Sequence, residues 1–232
     1  MSAEQSRFAP PADLPFQVRA LLRGRNAGFL GTLMTGGAPY VSLVTLSTTA
    51  DGEPLFLLSH LADHTRNLLA DARASLLVST DASPANPQQG ARISLQGRIE
   101  KSDDPAHRAR FLARHPGAAL YADFADFAFF RMRVEAVHWV GGFARAHWLP
   151  DFPAAPLLTD AVTDWPSEFL PSLLQQAGVT EKDGWQISGH DADGLEIRRD
   201  NIVIRVTFSA PCVDFAAMQD EVLTGKVRYW RN

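Results

Sequence analysis

A chain of 232 residues, 46% hydrophobic and 21% charged, is long enough for one large domain, or for one of about 150 residues with a smaller companion. Its formal charge of −4, with Lys and Arg scattered instead of in runs, excludes a broad cationic surface, so nucleic acid is not an expected partner. No apolar run approaches the roughly 18 residues that span a bilayer, and the start MSAEQSRFAPPADL lacks a basic stretch followed by an apolar one, so the expectation is a cytoplasmic protein without membrane contact.

Along the chain, the spacing of Val18, Leu21 and Leu22 predicts a first helix that stops at Gly24. AGFLGTLMT, PYVSLVTLST and PLFLLSH predict three strands, parted by turn signals at Gly36-Gly37 and Asp51-Gly52 and arranged as a meander. The next stretch, SHLADHTRNLLADARASLLV over residues 59–78, predicts a short amphipathic helix and then a buried strand over 74–78. His64, Thr65, Arg66 and Asn67 open that helix. Unpaired backbone N–H groups and the positive dipole end favour an anion there, so the cluster reads either as a phosphate cradle or as ordinary capping by Asp63 or Thr65 beside a solvated arginine.

A polar loop, DASPANPQQG, leads to the alternating strand ARISLQGRIEKS. DPAHRARFLARHP predicts a helix, and YADFADFAFFRMRVEAVHWVGGFARAHWL one or two strands. Antiparallel hairpins punctuated by one helix indicate a barrel and not a parallel sheet. Phe124, Phe127, Phe129 and Phe130 cannot all face inward on one strand. Part of this aromatic run is therefore expected against a second copy, the alternative being a larger core within one chain. Pro150, Pro153 and Pro156 mark a linker. After it, WPSEFLPSLLQQAG predicts a helix ended by Gly178, WQISGHDADGLEIRRDNIVIRVTF two or three strands with turns at Asp193-Gly194 and Asp200-Asn201, and VDFAAMQDEVLTG a closing helix. That is a small α+β module.

The chain has no GxSxG elbow, P-loop, GxGxxG or HExxH, which removes most support for hydrolase and dinucleotide-fold readings. Its seven histidines are dispersed, no metal centre is expected, and no catalytic residue stands out. Cys212, the only cysteine, excludes an internal disulfide and reads as a small buried hydrophobe.

The segments GFLGTLMTGGAPYVSLVTLSTTADGEPLFLLSHLADHTRNLLADARASLLV, ARISLQGRIEK, RFLARHP, DFAFFRM and VGGFARAHWL resemble the flavin-mononucleotide-binding split barrels related to pyridoxamine 5'-phosphate oxidase, nearest the haem-utilisation (HugZ-like) branch. The resemblance covers residues 15–149, while GHDADGLEIR and RVTFSAPCVDFAAMQDEVL resemble the small module that often follows this barrel. It implies a mainly β fold with helices: a six-stranded antiparallel split barrel over residues 1–150, then an α+β module over 157–232. It also implies a homodimer with FMN at the interface, acting as a flavin-dependent oxidoreductase on a small-molecule substrate. By the same resemblance Ser42 and Val44 line the ring, Ser59, His64, Thr65, Arg66 and Asn67 gather at the phosphate, and Arg92 approaches the ring's polar edge. This chain has His64 where the oxidases have lysine, and it continues into the module instead of ending in their Arg and Trp motif. Two alternatives stay open: a haem-binding or haem-degrading protein, for which His147 and His190 are the candidate iron ligands, and a non-catalytic dimeric binding module.

Overall fold

The computed structural model describes residues 11–80, 86, 89–142, 145–158, 165–181 and 183–231. The loop read at 81–90 falls largely outside them, as does Phe143 of the GGF turn. Helix α1 (Leu14–Arg23) buries Leu14, Val18, Leu21 and Leu22 in the main core and stops at Gly24, as its pattern requires. Around that core curls an antiparallel sheet of eight strands: β1 (Ala27–Leu33), β2 (Pro39–Thr45), β3 (Ser47–Thr48), β4 (Pro54–Ser59), β5 (Arg73–Ser79), β6 (Arg92–Lys101), β7 (Phe127–Val140) and β8 (Ala146–Leu149). Six of these are the long strands expected for a split barrel, and β3 and β8 add pieces of two and four residues.

The strand order is β2-β1-β5-β6-β7-β4-β3, with β8 on β7, so the expected three-strand meander does not form. β1 and β2 make a hairpin, but β4 crosses to the far side and pairs with β7. The cause lies in PLFLL, which is apolar on both faces and needs cover on both. Phe56 and Leu58 enter the barrel core, while Leu55 and Leu57 join a second cluster beneath α3 (Pro105–Arg114). That helix is capped by Asp104, whose side chain accepts from the Ala106 N–H at 2.8 Å.

The aromatic run on β7 divides in the same way. Ala128, Phe130 and Met132 face the barrel core; Phe127 and Phe129 pack with Phe111 and Tyr121 in the α3 cluster, and Phe111 meets Phe129 edge to face at 5.7 Å. The chain's own α3 cluster thus takes Phe127 and Phe129, and Phe124 alone of the four is exposed. At the β6–β7 register shift, a Cβ on Gly97 would lie 2.0 Å from the Arg133 carbonyl oxygen, so only glycine fits that crossing.

A second antiparallel sheet of four strands, β9 (Gln186–Asp191), β10 (Gly194–Arg199), β11 (Ile202–Thr207) and β12 (Arg228–Arg231), has the order β12-β11-β10-β9. It packs with α4 (Phe169–Gln176) and α5 (Phe215–Thr224) around Leu173, Leu195, Ile197, Val206 and Met218. Cys212 is buried there, and burial, with Glu221 and Asp214 adding to it, pushes its thiol up to about 11, so it is an inert core residue. β12 comes from KVRYWRN, a segment too short and too charged to predict a strand. It forms because Tyr229 packs on the module core and Trp230 lies over Arg25, 5.3 Å from the guanidinium carbon to the ring centroid.

A buried ionic joint ties the two sheets together. Arg19 and Arg23 leave α1 on the side away from its apolar stripe; Asp191 and Asp193 come from the β9–β10 turn. Arg19 donates to both Asp193 carboxylate oxygens at 2.8 Å, Arg23 to Asp193 at 3.0 Å and to Asp191 at 2.7 Å, and Arg205 to both Asp191 oxygens at 2.6 and 3.0 Å.

Candidate cofactor-binding face

The expected phosphate residues do gather around α2 (Asp63–Ala70), where several of them pair with neighbouring groups, while the buried Thr65 hydroxyl has no hydrogen-bond partner among the described residues. The N-cap is Ala62 and no side chain caps the helix, so neither Asp63 nor Thr65 has the predicted capping role. Arg66, with its side chain 57% exposed, donates to the Leu61 carbonyl at 2.7 Å and pairs with Asp63 at 2.5 Å. His64 Nδ1 lies 3.1 Å from Ser42 Oγ, Asn67 donates to Thr32 Oγ1 at 3.0 Å, and Ser59 donates to Asp126 at 2.7 Å. Thr65 and Val44 are buried, Val44 in the barrel core. Burial lowers the His64 pKa against the weaker opposing pull of Asp63, so its ring is neutral near pH 7. Asp63 shares the charge of the exposed Arg66 and sits in the first turn of the helix, which weakens the pull of this helix start on an anion, while Arg66 keeps unused N–H donors and Thr65 an unpartnered hydroxyl.

Arg92 is not part of this group. It lies on the outer face of β6, three strands over from Ser42 on β2, about 14 Å across the strands at the usual spacing, and further along β6 than Leu95, which is in register with Ser42. On that face the ladder registers align a row across six strands: Leu43, Phe29, Leu77, Ser94, His138 and Trp148. The row begins apolar and open, with Leu43 68% and Phe29 51% exposed, and Val41 extends it along β2. It ends where Trp148, 52% exposed, stacks on His138 at 4.6 Å between ring centroids. Burial first, and the nearby Arg92 second, lower the His138 pKa, leaving a neutral imidazole next to a cation. His147 stacks instead on the buried Trp139, on the opposite face of β8, and His190 lies in the module against Trp165.

A feature of the sequence marked this face. In an antiparallel sheet the outer residues of each strand are ordinarily polar, yet AGFLGTL and YVSLV place Phe29, Val41 and Leu43 there. His138 carried no signal of its own, since only the register sets it in line with Trp148 and Leu77.

Residues 11–154 match the family model described as CREG, beta-barrel. The chain belongs to this family. Its fold is the split barrel of the pyridoxamine phosphate oxidase relatives, as the sequence resemblance implied. A haem-binding protein from Mycobacterium smegmatis shares 26% identity, with 94% of this chain and 98% of that one aligned at a TM-score of 0.59. A protein of unknown function from Agrobacterium tumefaciens, at 21% identity, aligns over 95% and 99% of the two chains with a TM-score of 0.70. The chloroplastic non-canonical haem oxygenase HOZ of Arabidopsis thaliana is 37% identical over 135 residues, 56% of this chain. This CREG-family chain spans 41% of the length of that relative. Among the described residues no helix is long and apolar enough to cross a membrane, and no group of three or more His, Cys, Asp or Glu could hold a metal.

Proposed function

We propose that this protein binds haem on the outer face of its barrel, within a homodimer assembled through the same face. The observation that carries the reading is the row from Leu43 to Trp148, an apolar floor ending in a neutral imidazole beside a cation. These are the groups a porphyrin plane, its iron and a propionate call for. The two relatives named for haem support it, at 37% and 26% identity. His138 would ligate iron, Trp148 and Leu77 would pack on the macrocycle, and Arg92 would meet a propionate. Bound haem supplies redox and oxygen chemistry, which leaves these side chains to hold it, exclude water and keep the ligating nitrogen unprotonated.

Haem titration followed in the Soret region tests this. His138→Ala is expected to weaken binding about 100-fold, about 2.8 kcal/mol. Because the His138 pKa is lowered, protons compete with iron only in acid: affinity should stay level from pH 8 down past the ordinary histidine value near 6.5 and fall below it. Native-like binding by the alanine variant would discard His138 as the ligand and turn the test to His147 and His190.

A second reading, flavin binding, is favoured by the meeting of Ser42, His64 and Asn67 at the start of α2. Because Asp63 already pairs with Arg66, Arg66→Ala should change FMN affinity by less than about threefold, and FMN should exceed riboflavin by no more. A loss of tenfold or more, confined to FMN, would restore the phosphate site and with it the oxidoreductase reading.

A further inference from the structure

The geometry points to a binding site for an amphipathic organic carboxylate in the C-terminal module, in the cavity between β9, residues 156–158 and Trp165, with Arg110 at its charged end. This inference does not rest on the haem reading. The cavity is a half-open cleft of about 820 Å³, within the usual range of small-molecule sites. Its apolar wall is formed by Leu158, Trp165, Leu170, Trp185 and Ile187, and its polar end by Arg110, His190 and Asp191, the last paired with Arg110 at 3.2 Å. Behind that end lies the ionic joint, where cations outnumber anions: Arg19, Arg23, Arg110, Arg114 and Arg205 against Asp191, Asp193 and Glu196.

The positive excess acts on the neighbouring groups. Burial pushes the Glu196 carboxyl up, yet Arg114, Arg205 and Arg110 together hold it below its ordinary value. Burial, with Arg110 and Arg205 reinforcing it against Asp191, lowers the His190 pKa. Arg110, the one of the five that borders the cavity and is partly exposed, donates Nε–H to Thr48 O at 3.0 Å, Nη1–H to His190 O at 3.1 Å and Nη2–H to Asp191 at 3.2 Å. Three of its five N–H donors are used, and two remain. A carboxylate that accepts them gains from the joint's excess of five arginines over three carboxylates, while its aromatic or alkyl body covers the two tryptophans.

Naphthalene-2-acetate and its uncharged amide, titrated calorimetrically into the full chain, are the probes. One saturable site is expected, with the acid bound at least about tenfold more tightly than the amide. Arg110→Gln should erase that preference and leave the amide's affinity unchanged. Arg23 and Arg205 still hold Asp191 in that variant, and a melting temperature near the parent's would confirm that the joint survives. Arg110→Lys, which keeps the charge, should retain part of the preference. Equal binding of acid and amide, no saturable site, or a preference that persists in Arg110→Gln would overturn the assignment.

Discussion

Replacing Asp191 by alanine is expected to cost about 3–5 kcal/mol, against the roughly 5–15 kcal/mol that holds an ordinary domain folded. Asp191 accepts from Arg23, Arg110 and Arg205, with distances from 2.6 to 3.2 Å, and receives the Asp193 backbone N–H at 3.0 Å. Arg23 and Arg205 are almost wholly buried, so removing the carboxylate deprives Arg205 of both Asp191 acceptor oxygens away from water and leaves Arg23 with Asp193 as its one carboxylate partner. The joint links α1 to the module, and the expected phenotype is loss of the module before the barrel: an early urea transition with proteolytic cleavage in residues 150–158, followed by barrel unfolding. A single transition at the parent's midpoint would show that the arginines find other partners.

The pH dependence has a definite sign. Burial pushes the Asp191 carboxyl up, but Arg205, Arg23 and Arg110 outweigh it and hold the group far below the usual carboxylate range. Its contribution is therefore complete above the unfolded-state value near 3.9 and is lost as pH falls below it toward the folded value. The parent should keep the joint through mildly acidic solution and release it only in strong acid. Asp191→Ala should show a shallower acid transition, since the proton-linked group is gone.

Phe29→Asp is expected to convert the proposed dimer to monomer at micromolar concentration, a shift of at least about 1,000-fold in the dissociation constant. Phe29 stands between Leu43 and Leu77 at the centre of the open apolar patch. Truncation of a central interface aromatic costs about 2–4 kcal/mol, and an unpaired carboxylate facing its own copy adds to that. In the monomer the same side chain lies in water, so the urea midpoint at low protein concentration should hardly move. Sedimentation velocity across a dilution series reads both states. A parent chain that stays monomeric, or a variant that stays dimeric, would remove the outer face as the assembly surface.

How much of this was legible beforehand follows from the range of each interaction. Residues 14–23, 105–114 and 215–224 fold as helices because their apolar spacing, the cap at Asp104 and the stop at Gly24 are local, and the long strands follow from alternation within a few residues. The barrel class and the following α+β module were accordingly evident in the order of those elements. Strand partners were not. β4 reads as the third strand of a meander until both of its faces need cover, and only the closed arrangement shows that β7 and α3 supply it.

The candidate sites divide along the same line. Polar residues adjacent in sequence at the HTRN helix start were easy to find, and they stay together in the fold, where Asp63, three residues from Arg66, pairs with its guanidinium. By itself the sequence determined most of the elements, their order, the buried stripes and the family resemblance, since these depend on local periodicity and on motifs read within one segment. The tertiary structure alone decided that Leu43, Phe29, Leu77, Ser94, His138 and Trp148 form one row, and that arginines of α1, α3 and β11 meet carboxylates of the β9–β10 turn and β10. Pairing registers and burial of charge are set by contacts between different elements, from about ten to more than a hundred positions apart, which no local pattern encodes.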